Sequence, residues 1–419
     1  MIKRKILPKI NQWLNEKKII LLKGARQTGK TTILKKIKAN LEKKSQKVIY
    51  FSIDQEFNNT IFNNPKNFIQ YLQDQYLNHL KKNKKLFIII DEFQYLKQAG
   101  IFLKVLFDEL KNKCQFIVSG SSSLEINKNS EFLTGRKIEF FINNISFSEF
   151  IAYKMHIKEI KKFNDLLEIE TLYGNDLKNY FLEYINFGAY PEVICYQNVK
   201  KKKEVIKDIV STYLHKDITN FLRIENLEKF NNLIRILSLQ IGSLVNINEI
   251  SNTIGINAET CKKYLNILQG TYVFYFCKPF YRNIRKELTK MTKVYISDSA
   301  IWKFTSNKAN FLNFNDIAGE LIENFLYKKL IEDNLKVNYY RTISKTEIDF
   351  VFSFEGVLGI LESKFRNKVS IPTVMKNFTK KYHSSLKIII TKNILKKKDN
   401  TYFIPVYLFG LMDMNILLK

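Results

Sequence analysis

The sequence predicts an α/β protein with a parallel sheet at its N-terminal end, and three observations predict it. A short apolar run, Ile19 to Leu22, leads through Gly24-Ala25-Arg26-Gln27-Thr28-Gly29-Lys30-Thr31 into an amphipathic stretch from Thr32 to Leu41. A second apolar run, Leu86 to Ile90, ends on two adjacent carboxylates, Asp91 and Glu92. Candidate strands recur at 18–23, 47–52, 86–91, 115–119 and 138–142 with helical stretches between them, the alternation that builds a parallel sheet.

The first strand, turn and helix supply the context that the G-x-x-x-x-G-K-[ST] pattern requires. Its glycines let backbone N–H groups converge on a β-phosphate, and the helix N-terminus adds its positive end. Residues Gly24 to Thr32 are therefore assigned to an ATP site, with Lys30 reaching the β- and γ-phosphates and the Thr31 hydroxyl ligating Mg²⁺. The second strand runs through Tyr50-Phe51-Ser52-Ile53 and closes on Asp54, an acidic residue near the nucleotide edge.

The third strand is apolar without interruption, as expected of a strand buried on both faces. Carboxylates at its C-terminal end sit where open α/β sheets place their chemistry. Asp91 would hold Mg²⁺ through water and Glu92 would polarise the attacking water; the competing reading is a solvated acidic turn. The fourth strand, Gln115 to Ser119, runs into Gly120-Ser121-Ser122-Ser123. Ser119 is the candidate γ-phosphate sensor, against a serine-rich turn that merely closes a strand. A strand intervening in sequence between the loop strand and the Asp-Glu strand suits the additional-strand class of P-loop ATPases. Arg136, before the last strand, is a candidate arginine finger in trans or in cis, against an ordinary surface arginine.

Four segments are expected: the ATPase domain at 1–155, a helical segment at 156–225, a winged helix-turn-helix at 226–285 and a nuclease-like α/β domain at 286–419. From about 145 to 225 the pattern turns helical, with Phe147, Phe150, Tyr153, Tyr180, Phe181 and Tyr184 at helix-like spacing, which reads as core, and Gly188-Ala189-Tyr190-Pro191 as a turn. A further helix is expected from Val205 to Phe221, carrying His215-Lys216-Asp217-Ile218. The third segment reads as a helix from Leu227 to Ile241, a glycine turn near Gly255, a helix from Ala258 to Leu268, then a strand from Thr271 to Cys277. Its second helix would expose Glu259, Lys262, Lys263 and Asn266, and DNA recognition and simple packing both remain open for it.

The last segment begins with Lys293 to Asp298 as a strand end and a helix from Ala318 to Leu330, with Glu320 and Glu323 on one face. Strands at 348–352 and 358–364 follow. Asp349 on one and Glu362-x-Lys364 on the next fit a D…(D/E)-x-K pattern, in which Asp349, Glu362 and Glu323 would share a divalent ion. Lys364 would steady the attacking water or the phosphate. Alternating surface residues are the competing reading.

Bulk properties narrow the field. A chain of 419 residues that is 45% hydrophobic supports packed cores and is too long for one. Its four cysteines form no C-x-x-C pair and read as buried, reduced thiols in a cytoplasmic protein, not as a disulfide or zinc framework. No apolar run approaches the ~18 residues that cross a bilayer, and the basic start, Met1 to Lys5, has no signal region after it. The formal charge of +28 permits DNA or RNA as a partner, although a lysine-rich, asparagine-rich composition can arise without electrostatic purpose. The runs Lys200 to Lys203 and Lys396 to Lys398 read as solvated faces or loop tips.

Together these landmarks resemble a large family of archaeal and bacterial AAA-type ATPases with a C-terminal domain of unknown function and a PD-(D/E)XK nuclease-like fold. The matching residues are Lys23 to Thr32, Ile90 to Gln94, Ser119 to Ser122, Leu133 to Arg136, Gly188 to Glu192, Gly319 to Asn324, Tyr340 to Thr342 and Glu347 to Phe350. The chain departs at Phe187, where the family more often shows a glycine, and at Ser363, usually apolar; neither alters a charged position. The resemblance implies nucleotide binding, a winged-helix segment and the nuclease-like fold. The expected function is Mg²⁺-dependent ATP hydrolysis acting on nucleic acid or regulated by it, with a homo-oligomer as an open partner. Two alternatives stand beside it: a nucleotide-controlled switch that recruits a protein, and a nuclease regulated by ATP.

Overall fold

The computed structural model describes residues 2–417 apart from 57–58, 82–83, 122–132, 156, 158–159, 161, 215–223, 225, 282–289, 308–310, 355 and 415–416. Ser122 and Ser123, and the stretch His215 to Ile218, therefore lie outside the described residues. The chain divides into two compact units, where four segments were expected: one of residues 4–144 with 270–272, the other of the remainder.

In the first unit, five parallel strands form one sheet: β1 (Ile19–Lys23), β2 (Lys47–Ser52), β3 (Leu86–Asp91), β4 (Cys114–Gly120) and β5 (Lys137–Phe141), in spatial order β2-β3-β4-β1-β5. Strand β4 is inserted between β1 and β3, the arrangement expected of the additional-strand class. The two-residue pleat sorts the apolar run of β3 between two cores. Leu86, Ile88 and Ile90 enter one with Ile19 and Leu21, while Phe87 and Ile89 enter the other with Ile20 and Leu22. The helix Lys30–Lys43 buries Ile33, Leu34, Ile37 and Leu41 against that second core, one helical face at 3.6-residue period.

In the second unit, the helices Phe147–Met155 and Asp165–Phe187 come first. Phe147, Phe150, Phe181 and Tyr184 are buried as expected, and Phe147 and Phe181 meet edge-on at 5.5 Å. Tyr153 instead points outward and Tyr180 is half-buried. The helix expected from Val205 starts earlier, at Val199, because Asn198 caps it by accepting from the backbone N–H groups of Lys200 and Lys201. Within its lysine run Lys202 is buried, paired with Glu183 at 2.5 Å.

Three helices, Leu227–Leu239, Ile247–Ile254 and Ala258–Gly270, lead into β6 (Phe274–Cys277), which pairs antiparallel with β7 (Lys293–Ile296). Glu259, Lys262, Lys263 and Asn266 are exposed on the third helix, as expected. The pairing of β7 corrects one expectation. The strand belongs to this two-stranded ribbon and not to the C-terminal sheet, because Leu244 on its other side and β6 take up its edges.

The C-terminal sheet has six strands: β8 (Lys336–Arg341), β9 (Glu347–Phe354), β10 (Val357–Lys364), β11 (Leu386–Thr391), β12 (Lys396–Lys398) and β13 (Thr401–Pro405), in order β12-β13-β11-β10-β9-β8. The expected pair, β9 and β10, is an antiparallel hairpin, and β11 runs parallel to β10. The helix Gly319–Glu332 packs on it. Of the cysteines, all free, Cys195 is exposed, contrary to expectation, while Cys114, Cys261 and Cys277 are buried. Among the described residues no helix is long and apolar enough to cross a membrane.

Candidate functional site

The parallel sheet brings most of the predicted residues to one edge. The glycine loop leaves β1 at Lys23, whose register partner is Gly120, and Ser119 precedes it on β4. Asp91 ends β3 at the same C-terminal edge. Gly24 is needed for close approach: a Cβ there would collide with the carbonyl oxygen of Ile142. Thr28 is tied to the loop through its hydroxyl, which donates to the Ala25 carbonyl at 2.9 Å. Thr31 and Thr32 lie in the first turn of the following helix.

Lys30 is 4% exposed, and its ammonium donates to the carbonyls of Gly24 at 3.1 Å and Ala25 at 2.8 Å. Burial pulls its pKa down to about 8, with Glu92 and Asp91 opposing and Arg26 adding to the fall. A buried cation on neutral carbonyls is poorly compensated, and an incoming polyphosphate would restore its charge balance.

Asp91 is 1% exposed, and both its oxygens accept from hydroxyls: Oδ2 from Tyr50 at 2.7 Å, Oδ1 from Ser119. The backbone N–H of Glu92 donates to Ser119 Oγ at 3.2 Å, so Ser119 joins the two carboxylate residues. Glu92 holds a left-handed backbone, φ 54°, uncommon for a non-glycine residue. Its Oε2 accepts from Ser121 at 3.2 Å and from Gln94. The Glu92 N–H also donates to Asp91 Oδ1, at 3.1 Å, so the buried carboxylate is met by neutral donors. A carboxylate with the hydroxyl of Thr31, in the first turn of the helix, is an oxygen donor set of the kind that fits Mg²⁺.

Sequence reasoning gave no role to Tyr50, Tyr95 or Arg4, and met Gln94 only within the stretch Ile90 to Gln94 that carries the resemblance. The guanidinium of Arg4 donates to the carbonyls of Thr28 at 2.8 Å and Asn143 at 2.6 Å, bracing the loop from the N-terminal segment. Arg26 donates to the Tyr95 hydroxyl at 2.5 Å. For Arg4 the sequence signal was the basic character of residues 1–5.

Arg136 is not brought to the loop. It precedes β5, and its carbonyl accepts from the backbone N–H of Ile19 at 2.8 Å, which fixes it at the N-terminal edge of the sheet. That edge lies about 13 Å from the loop along β1, at ~3.3 Å per residue. Its guanidinium grips Asp108 with two bonds, 2.8 and 3.0 Å. The expected finger in cis is therefore corrected: a residue before a parallel strand faces away from the edge where the chemistry sits.

The second candidate site lies in the other unit. Asp349 and Glu362 interlock on the β9–β10 hairpin: the Asp349 N–H donates to Glu362 Oε2 at 3.2 Å, and Asp349 Oδ2 accepts from the Ser363 N–H at 2.7 Å. Glu323 joins them electrostatically. The carboxylates are nonetheless taken by lysines. Lys364 pairs with Glu362 at 2.6 Å, and Lys293 pairs with Glu323 at 2.9 Å and with Glu347. Among the described residues no group of three histidines, cysteines or carboxylates is disposed to hold a metal ion, so the expected set does not fit a divalent ion.

Comparisons with known proteins match the chain in three stretches. Residues 16–151 match the model of the AAA domain. Residues 178–310 match a domain of unknown function (DUF8612), and residues 318–409 match another (DUF4143). An uncharacterized protein of Haemophilus influenzae is 24% identical over 344 residues, 80% of this chain and 79% of that one. The uncharacterized protein MJ1637 of Methanocaldococcus jannaschii is 23% identical over 416 residues, 93% of this chain and 84% of that one. Among solved structures, the replication initiator DnaA bound to AMPPCP and single-stranded DNA is similar over 64% of this chain and 90% of its own, with 15% identity and a TM-score of 0.30. Likeness at that level says nothing about function.

Proposed function

We propose that the protein is a Mg²⁺-dependent ATPase of AAA type whose turnover is coupled to nucleic acid. The observation that carries the reading is the meeting of Lys30, Asp91, Glu92 and Ser119 at one sheet edge, within a segment that matches an AAA domain. Residues 24–32 bind the phosphates, with Lys30 as their principal cation. Thr31 and Asp91 would hold Mg²⁺, which supplies charge neutralisation on the phosphate oxygens when bound. Glu92 accepts the proton of the attacking water, and Ser119 positions Asp91 and reports on the γ-phosphate. Any finger role for Arg136 belongs to a neighbouring subunit, after release from Asp108.

Support for nucleic acid comes from the charge of +28 and from three helices followed by an antiparallel ribbon, a winged-helix order with Lys262 and Lys263 exposed on the third helix. ATP turnover measured with and without DNA or RNA tests this directly. The expected result is a several-fold change in turnover, with binding that weakens steeply as salt rises from 50 to 200 mM. No binding and no change in turnover would remove nucleic acid from the account. An ATP-dependent change of oligomeric state in that same experiment would favour a switch that recruits a protein.

A further inference from the structure

The C-terminal unit contains a charged cluster that the ATPase reading does not use. Glu323 from the helix Gly319–Glu332, Glu347 and Asp349 from β9, and Glu362 from β10 all face Lys293, Lys364 and Arg341. The Lys293 side chain is only 5% exposed. It comes from β7, outside the six-stranded sheet. Its ammonium touches Glu323 and Glu347 and lies 5.8 Å from the Tyr339 ring centroid. The Tyr295 hydroxyl donates to the same Glu323 oxygen at 2.5 Å. On the far side the backbone of Gly242 closes in; a Cβ there would stand 3.3 Å from Glu323 Oε2.

We propose that Lys293 is the resident cation of this carboxylate centre, occupying the role a divalent metal would take, and that the centre is an ion-paired joint between the β6–β7 ribbon and the C-terminal sheet, not a site of phosphodiester hydrolysis. The inference is independent of the nucleotide site.

The charges argue for it. Glu323 and Glu347 are both paired with Lys293, and Glu362 is paired with Lys364. Asp349 is held by the backbone instead, its Oδ2 accepting from the Ser363 N–H at 2.7 Å. Burial alone would lower the Lys293 ammonium, but Glu323 and Glu347 outweigh it and hold the charge on. A divalent ion would bring two further positive charges to carboxylates that already hold an ammonium. It would first have to expel an ammonium whose backbone is paired on both sides, to Cys277 and to Leu244.

The test uses the full chain without nucleotide, titrated with Mn²⁺ and followed by electron paramagnetic resonance. Wild type is expected to show no bound Mn²⁺ that Asp349→Asn removes. Lys293→Met, which keeps length and deletes charge, should gain a Mn²⁺ site that a second substitution, Asp349→Asn, abolishes. Lys293→Met should also lower Tm by on the order of 5–10 °C, because it orphans buried carboxylates, and Glu323→Gln in that background should recover part of the loss. Mn²⁺ on the wild type that depends on Asp349, a folded Lys293→Met without a metal site, or an unchanged Tm would each overturn the proposal. If Lys293→Met fails to fold, the comparison of wild type with Asp349→Asn still decides it.

Discussion

Glu92→Gln is expected to lower ATP turnover by about 10²- to 10⁴-fold while leaving nucleotide binding within a few-fold of wild type. The amide keeps the shape and can still meet Ser121 and Gln94, which now hold the carboxylate. What it cannot do is accept a proton from water. Because binding rests on the loop and Lys30, whose hydrogen bonds go to the Gly24 and Ala25 carbonyls, the loss should fall on kcat and leave KM nearly unchanged. Steady-state hydrolysis alongside a direct binding titration separates the two. Turnover within threefold of wild type would mean that Glu92 is not the base.

Gly188→Ala is the largest stability effect expected, a loss of about 3–5 kcal/mol. Gly188 follows the helix Asp165–Phe187 with φ +76°, a conformation that side chains rarely adopt. A Cβ there would run into Asp298 Oδ1 and stand 2.7 Å from the Ala300 Cβ. Asp298 is fully buried and has little room to yield, because it accepts from the Ala189 N–H at 3.0 Å and caps the helix Ser299–Thr305 through the Ala300 N–H at 2.9 Å. The substitution therefore strains the backbone, overpacks the pocket and disturbs a buried carboxylate together. Chemical denaturation of the full chain gives the difference; a loss below ~1 kcal/mol would contradict this picture.

How much of this was written legibly in the chain depends on the range of the signal. Unbroken apolar runs such as Leu86 to Ile90 have only one place in a two-layered sheet, so all five parallel strands fell within one or two residues of expectation. The loop and the Asp-Glu pair declared themselves because phosphate chemistry needs those residue types at fixed spacing. Tyr50 did not, since its partner Asp91 is 41 residues away and only the register of β2 on β3 brings them together. For Arg136 the signal was present but unused: residues before a parallel strand lie at the edge opposite the loop. Lys293 looked like the first residue of an ordinary strand. Its role follows from the antiparallel pairing of β7 with β6, which leaves the strand outside the sheet whose carboxylates it meets. Strands β8, β11, β12 and β13 went unnamed because short runs such as Lys336 to Arg341 mix polar and apolar residues without a clean period.

A calorimetric titration of the full chain with ATP and Mg²⁺, at pH 7 and at pH 9, puts the convergence of Lys30 with Asp91 and Glu92 to its most direct trial. With the free Lys30 titrating near 8, its ammonium is almost fully charged at pH 7 and about a tenth charged at pH 9. Binding to the charged form should therefore be about tenfold weaker at pH 9, because the complex must take up the missing proton. Lys30→Ala should abolish the heat at both values. A wild type that gives no heat with ATP and Mg²⁺, or a Lys30→Ala variant that binds as tightly as wild type, would contradict the account.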